Sequence, residues 1–188
     1  MMTCALWEID MRMAVLTTLV TVAGLALGAP AQAQQGGEQP GRSAALPGAP
    51  PPEYGVPLTN EQAKEAAEGA ITEAKKNNWH MAIAVVGTEG ELIYFEKMDG
   101  TQSSSALLAE AKARTSALFR RASKVFADQF AAGNAAFMTF PDPARPIASE
   151  GGLPIVLNGK LVGAIGVSGG TAAQDGVAAN AGVGAVKP

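Results

Sequence analysis

Cysteine and histidine are almost absent from this chain. Among its 188 residues, Cys4 is the one cysteine and His80 the one histidine. Cys4 lies in the N-terminal stretch that we expect to be removed on export, so the mature protein would carry no disulfide, no thiolate metal site and no cysteine nucleophile. The motif C-x-x-C-H is missing as well, which excludes covalently attached c-type haem. The core alone must therefore stabilise the fold.

An excess of basic residues is also missing. The chain has 14 Lys and Arg against 17 Asp and Glu, for a formal net charge of -3. Proteins that bind nucleic acid need a basic surface to neutralise phosphates, so nucleic acid is not an expected partner. With 47% hydrophobic and 16% charged residues, the composition is typical of one globular domain.

A long uncharged apolar run occurs at the N-terminus. Met13–Leu27 follows Arg12 and precedes Ala31–Ala33, a small-residue cleavage motif. The alternative is a membrane anchor, but the run is shorter than the roughly 20 residues that a spanning helix needs. We therefore predict that residues 1–33 are a signal peptide, that no membrane span remains after cleavage, and that the protein is periplasmic or secreted. Acidic residues ahead of Met11 are wrong for a signal peptide and indicate that the natural chain begins there.

A segment rich in Pro, Gly and Gln follows the cleavage motif. Residues 34–57 show no apolar periodicity, which predicts a flexible linker. The folded domain is then expected to span residues 58–188.

Capping signals and helical spacing predict the helices of this domain. Thr59 and Gln62 form a capping box ahead of a helix with an alanine face, and Thr171 and Gln174 form another ahead of a C-terminal helix. A short helix is expected from Lys124. The stretch "SSSALLAEAKARTSALFRR" predicts one more helix, whose core-facing stripe we expect to be Leu107, Leu108, Ala111, Thr115, Leu118 and Phe119.

Two hairpins account for the expected strands. Met81–Val86 and Glu91–Lys97 flank the loop "GTEG", and Leu153–Leu157 and Lys160–Ser168 flank Asn158–Gly159, a strong hairpin signal. Repeated glycines weaken the last strand, so they indicate a close neighbour on that surface. The neighbour can be a helix, another subunit or a flat ligand.

The pattern G-x-S-x-G occurs at Gly166–Gly170 and matches the nucleophile elbow of serine hydrolases. A general base must reach the Ser168 hydroxyl, but His80 lies upstream of the serine, whereas the α/β-hydrolase order places the histidine downstream. A serine hydrolase is therefore not our prediction. We predict that Ser168 is structural, and that Gly169 and Gly170 form a strand-to-helix junction whose backbone N–H groups can hold a carboxylate.

From Leu58 onward the chain resembles the GlcG/HbpS haem-binding family, which includes the C-terminal module of the PduO adenosyltransferases. The resemblance is carried by "LTNEQAKEAAEGAITEA", "IAVVGTEGELIYFEKMDG", "EAKARTSALF", "EGGLPIVLNGKLVGAIGVSGG" and a final "QD". Many members have Asp after "AVV", where this chain has Gly87. The resemblance implies a profilin-like α/β/α fold with a five-stranded antiparallel sheet. It also implies a homo-oligomer, an octamer in several relatives, and either haem binding, haem degradation or haem sensing with a two-component sensor partner.

The resemblance also points to site residues on the helix "EAKARTSALF". Lys112 and Arg114 become candidates for pairing haem propionates, and Thr115 a candidate iron ligand, although a helix threonine can simply bond its own backbone. Gly169 and Gly170 are added as backbone donors, and His80 is the alternative iron ligand. We therefore expect an exported oligomeric haem-binding protein without a catalytic residue. The alternatives are a corrinoid-binding module and a non-catalytic accessory oligomer of a periplasmic oxidation pathway.

Overall fold

The computed structural model describes residues 50–188. The predicted signal peptide, 1–33, and most of the predicted linker lie outside the described residues. The described part contains the following elements: β1 Glu53–Tyr54, α1 Asn60–Lys76, β2 Ala82–Val86, β3 Leu92–Lys97, α2 Ser105–Phe119, α3 Lys124–Ala131, a 3₁₀ turn Ala136–Thr139, β4 Gly152–Leu157, β5 Lys160–Ser168 and α4 Ala172–Ala185.

The five strands of the described region form one sheet around β5. Strand β4 pairs antiparallel with β5 along one edge. Along the other edge, β1 pairs with the first residues of β5 and β2 with its last residues, and β3 pairs with β2. The expected five-stranded α/β architecture is confirmed, but the sheet is only mostly antiparallel because β1 runs parallel to β5.

The last residues of the expected linker are part of this sheet. Tyr54 is in register with Leu161, and the Gly55 N–H donates to the Leu161 carbonyl at 2.7 Å. A flexible tether up to residue 57 is therefore wrong at its C-terminal end. The Pro and Gly residues around Glu53 and Tyr54 concealed the strand, which is held by backbone pairing with β5 and by the Tyr54 hydroxyl, which donates to the Leu118 carbonyl at 3.3 Å.

Both predicted capping boxes and the Asn-Gly hairpin are present. The Thr59 hydroxyl accepts from the Gln62 N–H, and the Thr171 hydroxyl accepts from the Gln174 N–H. Asn158 and Gly159 both adopt positive φ, as a two-residue type I′ hairpin requires. These features depend on residues two to four positions apart, so local sequence determines them.

Helices cover both faces of the sheet. Helices α1 and α4 pack against each other and against one face through small residues of α1 and the bulkier strand residues Ile83, Val85, Ile165 and Val167. Helix α2 covers the other face, where the core consists of Ala82, Ala84, Val86, Ala109, Ala113, Ala117 and Ala164.

Helix α2 buries a different face from the one expected. Its buried residues are Ser105, Ala109, Lys112, Ala113, Thr115, Ser116 and Ala117, whereas Leu107 is 74% exposed. Close packing is the physical reason: a Cβ on Gly166 of β5 would collide with the backbone of Ala109 and Ala113. A helix this close to the sheet can place only small side chains between them. The close neighbour of Gly166 is therefore α2, whereas a Cβ on Gly163 would meet Val86 and Leu58.

Candidate functional site

A groove lies between the C-terminal half of α2 and the irregular segment that follows the 3₁₀ turn. Its volume is about 310 Å³, at the lower end of the range of roughly 300–1,000 Å³ seen for small-molecule pockets. We call it the α2 groove and define it by its lining residues, Ala111, Arg114, Thr115, Leu118, Phe119, Asp142, Pro143, Ala144 and Arg145.

Two arginines bring positive charge to the α2 groove. Among the described residues 50–188, Arg114 has no hydrogen bond or ion pair. Arg145 has both: its Nη2 lies 3.4 Å from Asp142 Oδ2, and its Nε donates to the Phe140 carbonyl at 3.1 Å. Because one guanidinium is unpaired and the other is only loosely paired, the groove can accept a ligand carboxylate.

Phe119, the aromatic side chain that lines the α2 groove, belongs to a cluster of four phenylalanines. Phe119 packs edge-to-face on Phe126, with ring centroids 4.9 Å apart, and stacks on Phe140 at 6.3 Å. Phe126 packs in turn on Phe137 at 5.3 Å. The segment that closes the groove is thus anchored to α2 by aromatic contacts, which keeps an apolar surface beside the two arginines.

Thr115 lies at the floor of the groove. Its side chain is 3% exposed, and its hydroxyl accepts a hydrogen bond from the Ile147 N–H at 3.0 Å. A hydroxyl has two lone pairs and one proton, so this bond leaves one lone pair and the proton for a ligand. The residue also ties α2 to the segment on the far side of the groove.

Lys112 points away from the groove into the protein interior. It is 2% exposed, and its Nζ lies 2.6 Å from Asp175 Oδ2 and donates to the Val167 carbonyl at 3.0 Å. The pair joins α2, β5 and α4 at one buried point. The ammonium group is therefore satisfied within the fold and does not face the α2 groove.

The junction at Gly169 and Gly170 holds a carboxylate of the protein itself. The Gly170 N–H donates to Asp175 Oδ1 at 2.9 Å, and the next N–H, of Thr171, donates to Gln174 Oε1 at 2.9 Å. Burial raises the pKa of the Asp175 carboxyl above its ordinary value of 3.8, while the Lys112 ammonium and the Gly170 and Gly169 N–H groups lower it. The donors expected to face a ligand are thus directed at Asp175.

His80 lies at the opposite end of the sheet from the groove. Its exposed ring bonds through Nδ1 to the Asp99 carbonyl at 2.7 Å. A carbonyl only accepts, so Nδ1 is the donor in this hydrogen bond. Register places the start of β2 beside Ser168 and its end beside Ala164. The loop after β2 lies at the groove, because a Cβ on Gly90 would meet Arg114 and Leu118. At about 3.3 Å per residue, His80 is roughly 20 Å along the strand from the end of β2.

Ser168 has no catalytic partner within residues 50–188. It is 3% exposed, and its hydroxyl makes no hydrogen bond there, neither to His80 nor to the junction that follows it. Hydrogen bonds to Asp175 and within the Thr171–Gln174 capping box hold the junction, and the Ser168 hydroxyl takes no part in them.

The structure thus divides the predicted site residues into three groups. Arg114 and Thr115 line the α2 groove, Lys112 joins Gly169 and Gly170 in the Asp175 network, and His80 stands apart. Sequence reasoning did not assign seven of the nine lining residues to the site, among them Phe119, Asp142 and Arg145. The signal for the last two was weak, because they lie in the proline-rich stretch "FPDPARP", which has no periodicity but can carry function as loops do. Whether any of these residues binds a ligand stays a prediction.

Residues 50–188 contain neither a metal-binding cluster of side chains nor a helix suited to a membrane. No cluster of three or more His, Cys, Asp or Glu side chains that could hold a metal ion occurs in this part of the chain. None of its helices combines the length and the apolar character that crossing a bilayer demands.

Comparison with known proteins gives consistent matches. A family model described as "Haem degrading protein HbpS-like" matches residues 58–184. Protein GlcG of Escherichia coli K12 is 37% identical over 113 residues, which cover 60% of this chain and 82% of GlcG. A double mutant of Streptomyces reticuli HbpS superposes with a TM-score of 0.64 at 27% identity, over 72% of this chain and 90% of HbpS. A haem complex of PduOC superposes with a TM-score of 0.65 over 70% of this chain and 96% of PduOC, but at 22% identity it supports the fold alone.

Proposed function

The chain belongs to the HbpS-like family, and from that membership we propose that it is a haem-binding protein whose ligand occupies the α2 groove. The observation that carries the proposal is the combination, in one groove, of the unpaired Arg114 guanidinium with the apolar side chains of Leu118 and Phe119. Haem is a flat apolar ring system with two carboxylates, so it needs both features. The residues of the groove fit this ligand chemically.

Each lining residue would have a distinct part in holding the ligand. Arg114 and Arg145 would bind the carboxylates, and Leu118 and Phe119 would contact the ring. Thr115 would offer its remaining lone pair as an oxygen ligand, supported by the Ile147 N–H that fixes its hydroxyl. Bound haem supplies a redox-active iron centre. The chain itself positions the ring and excludes water from its buried edge.

Binding, rather than catalysis, is the proposed activity. The one carboxyl group that lines the α2 groove belongs to Asp142, and it is paired with Arg145. General acid–base catalysis requires a group that is positioned to exchange a proton with the substrate. The groove offers none besides this exposed ion pair, so a carrier or sensor of haem suits it better than an enzyme that degrades haem.

Haem titration with matched variants tests the proposal. We expect the Soret band of the purified protein to shift and to saturate at a fixed ratio of haem to protomer. Arg114→Gln should weaken binding about 10-fold or more, as expected for loss of a charge-assisted hydrogen bond, whereas Lys64→Gln, on the exposed face of α1, should not. Thr115→Val keeps the side-chain shape and should alter the spectrum. Unsaturable absorbance, or saturation by a corrinoid in a parallel titration and not by haem, would contradict the proposal.

Export and self-association complete the proposed function. We propose cleavage after Ala33, so protein recovered from its own host should begin near Gln34 by mass spectrometry, and an intact N-terminus would contradict export.

We also propose a homo-oligomer. Leu107 on α2 and Leu92 on β3 are large apolar side chains that stand exposed on one protomer, at 74% and 47%, which supports this proposal. Light scattering should give a mass well above one protomer.

A further inference from the structure

The two guanidinium groups of the α2 groove differ in what already holds them. Arg114 has no ion pair or hydrogen bond within the described residues, so a ligand carboxylate meets no competitor there. Arg145 is paired with Asp142 at 3.4 Å and is oriented by the bond from its Nε to the Phe140 carbonyl. The groove therefore offers one open and one self-paired binding position for carboxylates.

We propose that Asp142 is a built-in competitor that sets the affinity of the groove for the second carboxylate of a dicarboxylic ligand. The inference deepens the proposed haem-binding function and rests on it. A ligand carboxylate that binds at Nη2 of Arg145 must compete with Asp142 Oδ2, which already lies 3.4 Å from that nitrogen, and it meets the negative charge of Asp142 there. The Nε bond to Phe140 remains in place, so the guanidinium does not have to leave the groove.

Exposure makes the displacement feasible. The Asp142 and Arg145 side chains are 77% and 43% exposed, and an ion pair open to water is weak because solvent screens it. A ligand that already has one carboxylate on Arg114 presents the second at high local concentration. The groove should thus favour flat apolar dicarboxylates over monocarboxylates and esters, and Asp142 should reduce that preference.

The test compares haem with its dimethyl ester, which has the same ring and iron but no carboxylate. Asp142→Asn should strengthen haem binding about 2- to 5-fold, the range expected for release of an exposed ion pair, and should leave the ester unchanged. Asp128→Asn, which alters another exposed carboxylate paired at i,i+4 outside the groove, is the matched control and should change neither ligand. Thermal unfolding of each variant checks that the fold is intact.

A double-mutant cycle separates competition from simple charge repulsion. In an Arg145→Gln background, Asp142→Asn should no longer strengthen haem binding, because the contested guanidinium is gone. If Asp142→Asn strengthens haem binding equally in the wild-type and the Arg145→Gln background, Asp142 does not compete for Arg145. If wild-type protein binds haem but Asp142→Asn matches it on both ligands, the role of Asp142 is refuted while the haem function stands. If wild-type protein binds neither haem nor the ester, both proposals fall.

Discussion

Breaking the buried Lys112–Asp175 pair should produce the largest stability loss of any single polar substitution considered for this protein. The two side chains are 2% and 4% exposed, and Lys112 Nζ lies 2.6 Å from Asp175 Oδ2. Lys112→Met keeps the bulk of the side chain but leaves the Asp175 carboxylate buried without its counter-ion. Removing one partner of a buried pair costs about 3–5 kcal/mol. For a domain of this size that corresponds to a fall in Tm of about 10–20 °C.

The loss should depend on pH with a defined sign. The pKa of Asp175 in the folded protein is already raised by burial, and Lys112 is what lowers it. Without Lys112 the pKa of Asp175 in the folded protein rises further above the ordinary value of 3.8. At a pH between that ordinary value and the raised pKa, the folded state binds more protons than the unfolded state. The free energy of unfolding of Lys112→Met therefore falls as pH rises through this window. Its deficit against wild type should be larger at pH 7.5 than at pH 4.5.

Urea unfolding followed by circular dichroism at both pH values measures these deficits. Lys112→Met/Asp175→Asn removes both charges while the new amide oxygen can still accept the Gly170 N–H, so it should lie closer to wild type than Lys112→Met does. Lys64→Met breaks an exposed pair with Glu68 and should cost less than about 1 kcal/mol. A deficit for Lys112→Met that equals this control, or that does not change with pH, would refute the reasoning.

Two further predictions concern the last strand and the helix beyond it. Ser168→Ala should lower the free energy of unfolding by at most about 1–2 kcal/mol. A fluorophosphonate probe should label neither the variant nor the wild type. Labelling of the wild type that the substitution abolishes would instead show a serine hydrolase. Gly166→Ala should destabilise by about 1–3 kcal/mol, because its Cβ would collide with the α2 backbone. Gly184→Ala in α4, where a Cβ meets nothing within 4 Å, should instead stabilise by about 0.5–1 kcal/mol; similar Tm values for the two glycine variants would contradict the close packing of α2.

Some residues of the α2 groove could be predicted from the sequence, and others could not. Resemblance pointed to the helix that carries Arg114 and Thr115, and both line the groove. The same reasoning placed Lys112 with them, because three neighbouring residues on a helix look equivalent in a linear sequence. Their directions differ by about 100° per residue, so one neighbour can face a groove while another enters the core. Asp142 and Arg145 could not be linked to the helix from sequence, since they lie in an aperiodic segment.

Sequence alone determined the features that depend on near neighbours. The capping boxes at Thr59 and Thr171 and the Asn158–Gly159 hairpin follow from residues a few positions apart, and the long matching segments identified the family and therefore the fold. Tertiary structure decided which face of α2 is buried, because that depends on how closely Gly166 lets the helix approach. It also decided that Lys112 pairs with Asp175, 63 residues away. A buried charge needs a counter-ion close to it in the folded protein. That counter-ion can be distant in sequence, so no local sequence pattern predicts the pair.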